Sequence, residues 1–117
     1  MTQNEKDLLI KDLCARLPYG VKVEYENEIF DVEYVCSMYE EVKLDIPETW
    51  TIDVSEVKPY LFPMSSMTEE QKEDMIKSSC GIGSDKNVFD WWNKNHFDYR
   101  GLIPMGLAID ATGLNIY

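Results

Sequence analysis

The chain has 117 residues, 44% of them hydrophobic, with three Trp, seven Tyr and four Phe; it is long enough to fold around one core and too rich in large rings for a disordered tail. A formal net charge of −11 repels a phosphate backbone, which excludes ordinary nucleic-acid binding through a basic patch and favours partners with basic surfaces. The imbalance is heaviest in residues 1–58, with 14 acids against 6 bases, whereas residues 59–117 hold 8 against 5.

Thr2 and Glu5 have capping-box spacing, and Leu8, Leu9, Asp12, Leu13 and Leu17 recur at helical intervals, so a helix is expected over 3–16. Pro18-Tyr19-Gly20 ends it. The period then changes to two. Val21, Val23 and Tyr25 alternate with Lys22, Glu24 and Glu26, with Asn27-Glu28 as the hairpin turn. Next come Phe30, Val32, Tyr34 and Cys36 against Asp31, Glu33 and Val35, then Val42, Leu44 and Ile46 against Glu41, Lys43 and Asp45. Trp50 to Val54 is a shorter fourth strand. A small, curved antiparallel sheet follows, with an SH3-like partial barrel as one form it can take. Lys58 to Met67 carries Pro59 and Pro63 around Tyr60-Leu61-Phe62; it is too proline-rich for a helix or central strand and is expected to lie extended over the core.

Thr68 and Gln71 form a second capping box, with Glu69 and Glu70 where a helix dipole favours acids, and predict a helix to about Ser78. Ser79 to Asp85 reads as a loop. Asn87 or Asp85 then caps a helix through Phe89, Trp92 and His96. Beyond Arg100-Gly101 an irregular tail is expected, or a hairpin of 107–110 with 114–117 around Ala111-Thr112-Gly113. The fold class is therefore α+β in a single domain spanning 1–117, with no repeats and no internal boundary.

No apolar run is long enough to cross a bilayer, and the first residues carry neither the basic nor the apolar segment of a secretion signal, so a cytoplasmic location is expected. Cys14, Cys36 and Cys80 are odd in number and widely spaced, which fits neither a disulfide framework nor a zinc knuckle; reduced, mostly buried thiols are expected.

The run Glu56-Val57-Lys58-Pro59-Tyr60-Leu61-Phe62-Pro63-Met64-Ser65-Ser66-Met67-Thr68-Glu69-Glu70, the run His96-Phe97-Asp98-Tyr99-Arg100-Gly101-Leu102-Ile103 and the following Gly106-Leu107-Ala108 resemble phrases of a family of short uncharacterised proteins from gut bacteria and their phages. The quoted segments amount to 26 of the 117 residues. It implies a setting in mobile elements, and it carries no activity or site residues with it.

Several constellations can carry chemistry. A lone His96 excludes a multi-histidine metal site, and neither metal nor cofactor is expected. Cys80 with His96 can be written as nucleophile and base of a small hydrolase or transferase, with Asp98 and Arg100 as further candidates. Gly81-Ile82-Gly83-Ser84 before a helix offers amide donors to an anion but lacks the ending of a nucleotide loop, so it reads more plainly as an interhelical connection. Trp91, Trp92, Asn95, His96, Asp98, Tyr99 and Arg100 make a cluster able to stack on and grip a planar or anionic ligand; the competing structural reading packs both indoles and pairs Arg100 with Asp98 or Asp90. On the sheet, Glu24, Glu26, Asp31, Glu33, Glu41 and Asp45 form a polar face that serves either as a solvated surface or as a mimic of nucleic-acid phosphates, interrupted by Lys22 and Lys43.

The preferred expectation is a non-enzymatic binding protein, carried by a phage or mobile element, acting on a host protein or sequestering a small ligand. The alternatives are the Cys80/His96 enzyme, the nucleic-acid mimic, and a structural subunit whose apolar tail, 102–109, docks in a homo-oligomer.

Overall fold

A computed structural model of the chain describes residues 1–46, 51–79 and 84–117, with the side chains of 78, 79 and 84–87 left aside. Helix α1 spans Gln3–Arg16 and opens on the expected capping box: the Glu5 amide donates to Thr2 Oγ1 at 3.1 Å and the Thr2 amide to Glu5 Oε1 at 2.8 Å. Its inner face buries Leu9, Ile10 and Leu13 against the sheet's apolar side, where Val21, Val23, Val42, Leu44 and Leu61 lie. A short 3-10 turn, Leu17–Tyr19, holds Pro18 at its start, and Gly20 at φ +77° turns the chain into the first strand.

Strands β1 (Lys22–Tyr25), β2 (Glu28–Cys36), β3 (Glu41–Leu44) and β4 (Thr51–Asp53) form an antiparallel meander. The first turn sits one residue earlier than expected, at Glu26 and Asn27, both left-handed with φ of 50° and 65°. Two successive left-handed residues give the hairpin twist that matches strand twist, and a turn centred on Asn27-Glu28 would not. In β2 a bulge between Val32 and Tyr34 shifts the alternation by one. Phe30 and Val32 face the core before it and Val35 after it, so Tyr34, expected inward, is 49% exposed.

A 3-10 turn, Val54–Glu56, leads into β5 (Lys58–Leu61), which pairs antiparallel with β1. In place of a partial barrel the sheet is open and mixed: a sixth strand, β6 (Ile109–Asp110), runs parallel to β5 and the order is β4-β3-β2-β1-β5-β6. The expectation that Pro59 bars an internal strand fails: β6 pairs only with Tyr60 and Leu61, past the proline, so the missing donor falls outside that ladder.

Helix α2 (Glu69–Ser79) starts where Thr68 and Gln71 cap each other, at 3.1 and 2.8 Å, and helix α3 spans Ser84–Lys94. Asp85 and Asn87 thus lie inside α3 instead of capping it, and His96 lies beyond its end. The chain leaves α3 by a Schellman turn: His96 donates to Asn93 O, Phe97 donates to Trp92 O, and His96 takes the left-handed position at φ +64° usually given to glycine.

The carboxy-terminal hairpin is not formed; after β6, residues 114–117 are irregular. Tyr117 instead reaches back, its hydroxyl accepting from the Lys22 amide at 3.0 Å and donating to Tyr60 O at 2.8 Å, which commits this segment to β1 and β5. The tail expected to dock elsewhere is spent on this chain's own core, where Leu102, Leu107 and Ala108 are buried, leaving Met105 exposed. Among the described residues no helix is long and apolar enough to cross a membrane.

Both capping boxes can be probed directly. Thr68→Ala is expected to lower stability by about 1 kcal/mol, read as a shift of the urea midpoint at unchanged slope.

Candidate functional site

Helices α2 and α3 pack side by side, and a groove with a cavity of about 440 Å³ lies between them. Glu70, Glu73, Asp74 and Lys77 follow one another at helical spacing along α2 and supply three carboxylates against one ammonium. From α3, Trp91 closes the opposite wall. The indole is 7% exposed; its Nε1–H donates to Asp74 Oδ2 at 2.8 Å, which fixes both side chains across the groove. Asn95, also in the lining, donates from Nδ2 to Trp91 O at 2.9 Å. Carboxylates along one wall and an indole in the other suit an alkylammonium or guanidinium group, chiefly through charge attraction.

The sequence cluster from Trp91 to Arg100 does not assemble as one site. Trp91 stacks on Phe97 with centroids 5.7 Å apart and planes within 9°. Trp92 stacks instead on Tyr99, at 5.4 Å, and meets the edge of Phe89. Asp98 turns its carboxylate onto the Leu102 and Ile103 amides, at 2.8 and 2.9 Å, where it pins the chain reversal. Arg100 pairs with neither Asp98 nor Asp90: its Nε donates to Asp12 Oδ1 at 3.1 Å, and its Nη2 to Tyr99 Oη at 3.0 Å.

Asp12, one of the stripe residues of the first helix, is the hub of this arrangement. It is fully buried and also takes two bonds from Arg16, at 2.8 and 3.1 Å; Arg16, likewise at 0% exposure, donates to Phe97 O at 2.6 Å. The sequence signal was an acid on an apolar helical stripe with an arginine four residues on.

His96 is 8% exposed and lies flat against Tyr117, with ring centroids 3.6 Å apart. Burial first, then the positive charges of Arg16 and Lys22, lower its pKa to about 4, so the ring is neutral near pH 7. Tyr117 keeps 40% of its surface, yet its hydroxyl is enclosed by the backbone of Lys22 and Tyr60, and burial pushes it up to about 12. Cys80 and the Gly81–Gly83 stretch lie outside the described residues. The thiols expected to be mostly buried are not: Cys14 is exposed on α1 and Cys36 is half-buried. Among the described residues no three His, Cys, Asp or Glu side chains gather to hold a metal ion.

On the sheet, most of the acidic face is engaged internally. Asp31 binds Lys22 Nζ at 2.8 Å, Glu33 binds Lys43 Nζ at 3.2 Å, Glu41 accepts from Thr51 Oγ1 at 2.9 Å, and Asp45 accepts from the Asp31 amide at 3.1 Å. Lys43 itself is buried and also donates to Leu44 O. Glu24 is half-buried and Glu26 is exposed at the first turn. No protein-family model, curated protein or solved structure matches the chain.

Glu70, Glu73, Asp74 and Gln71 were not singled out as a site from sequence. Their spacing on one helical face was visible; the tryptophan opposite them depends on how α2 and α3 pack.

Proposed function

We propose that the chain is a non-enzymatic binding protein that takes a Lys or Arg side chain of a basic protein partner into the α2–α3 groove. The observation that carries this reading is the set of Glu70, Glu73 and Asp74 facing the indole of Trp91 across a cavity of about 440 Å³. The net charge of −11 works in the same direction, drawing basic surfaces towards the molecule before contact. The described side chains with reactive potential serve structure: His96 is stacked and neutral, Asp98 caps backbone amides, and Arg100 is tied to Asp12. A setting in a phage or other mobile element, with a host protein as target, rests on the resemblance of the 56–70, 96–103 and 106–108 segments.

The test is titration with an oligolysine or oligoarginine peptide, followed by two-dimensional NMR and calorimetry. The Trp91 indole N–H signal is expected to move with saturation, and the affinity to fall as salt rises. Glu73→Lys with Glu70→Lys is expected to weaken binding by about tenfold or more, since each surface carboxylate contributes on the order of 1 kcal/mol. An unmoved indole signal, or equal affinity for the wild type and the double variant, overturns the reading.

A further inference from the structure

A second, smaller cavity of about 190 Å³ opens beside the groove, bounded by Phe62, Ser66, Phe97, Thr112 and Gly113. Its lining holds hydroxyls and rings and no charged side chain. The two cavities share Gln71, which lines both. Behind them Trp91 of the groove stacks on Phe97 of the smaller cavity, both rings buried, so the two linings rest on one packed pair.

The residue they share is held in place by hydrogen bonds. Gln71 spends its side-chain oxygen on the Thr68 amide and its own amide on Thr68 Oγ1, so it is held by the cap of α2. The Schellman turn fixes Phe97 just past the end of α3, and its flanking residues lock it to Phe62: Phe62 donates to His96 O and Asp98 to Phe62 O, both at 2.8 Å. An acidic groove and an uncharged cavity thus meet at one glutamine.

We infer that the two cavities form one composite site for a peptide segment in which a Lys or Arg stands beside an apolar residue. The cation enters among Glu70, Glu73 and Asp74, and the apolar side chain enters the smaller cavity against Phe62. This rests on the reading of the groove as a site for a basic partner. It adds the second specificity element, which separates such a segment from any polycation. Charge complementarity selects the first residue of the pair, and exclusion of a charged group from the second chamber selects its neighbour.

Three short capped peptides test it: one with Arg next to Phe between glycines, one with the Phe replaced by Gly, and one with the Arg replaced by Gly. Binding is read by NMR at the Trp91 indole N–H in the groove and the Gly113 amide in the smaller cavity. The Arg-Phe peptide is expected to shift both signals. The peptide lacking Phe is expected to shift Trp91 alone and to bind at least tenfold more weakly. Thr112→Trp, with Ser66→Leu as a second means of filling the smaller cavity, is expected to abolish this advantage while leaving the Trp91 response intact. Equal affinity of the Arg-Phe and Arg-Gly peptides overturns the composite site and leaves the basic-partner reading standing. Full affinity of the peptide lacking Arg also overturns it, and failure of every peptide to move the Trp91 signal removes both.

Discussion

Asp12→Ala is expected to destabilise the protein by about 3–5 kcal/mol, the cost of leaving a buried charge without its partner. Arg16 has no accessible surface and cannot turn to water, so the substitution strands its guanidinium beside Phe97 O with no carboxylate in reach of its Nε. Arg100, which also leans on Asp12, loses its Nε partner at the same time. A loss of that size is a large part of the 5–15 kcal/mol that holds a typical domain together, and partial unfolding at 37 °C is the expected result. Urea denaturation followed by tryptophan fluorescence measures it. The companion variant Asp12→Leu with Arg16→Met removes both ions while keeping apolar bulk, and should recover most of the lost stability. A drop below about 1 kcal/mol for Asp12→Ala would show that the α1 ion pair does not carry the weight placed on it.

Acidification supplies the second large effect, through His96. In the unfolded chain its imidazole titrates near 6.5, but in the fold burial and the nearby cations Arg16 and Lys22 hold it at about 4. Between these values the unfolded chain binds the proton and the folded one does not. Stability therefore falls as pH descends from about 6.5 to 4 and loses nothing further to this group below that. The full span is worth up to about 3 kcal/mol. His96→Asn is the informative comparison, because asparagine tolerates the left-handed backbone of the Schellman turn and cannot take a proton. Its urea midpoint should lie nearest the wild type's at pH 4 and furthest below it, if packing on Tyr117 is lost, at pH 7. The difference between the two profiles isolates the imidazole from the many carboxylates that titrate in the same range. Parallel profiles would sink the assignment.

Local signals were the most legible. Both capping boxes lie within four residues of chain, and both helices begin where their hydroxyl and carboxyl or amide partners require. The strands were visible through their alternation, but the bulge in β2 was not, since an extra residue between Val32 and Tyr34 leaves no mark except a change of phase. The end of α3 was misplaced because a histidine occupies a position that a glycine would have advertised. Arg100 was assigned to nearby acids in sequence, yet its partner is Asp12 on a helix 88 residues away. The groove shares this dependence: its carboxylates were readable on one helix and its tryptophan on another, and only packing brings Asp74 to the indole.

The sheet's two flanks have a consequence for behaviour in concentrated solution. One ends in β4, three residues long and closed by Asp53, the other in β6, two residues long and closed by Asp110. Each flank thus offers a foreign strand too few free amides and carbonyls to template further growth, and each ends in an anion that resists a like-charged neighbour. Edge-to-edge polymerisation is therefore expected to find no footing at either end, even though Met38 and Tyr39 stand exposed at the 37–40 turn.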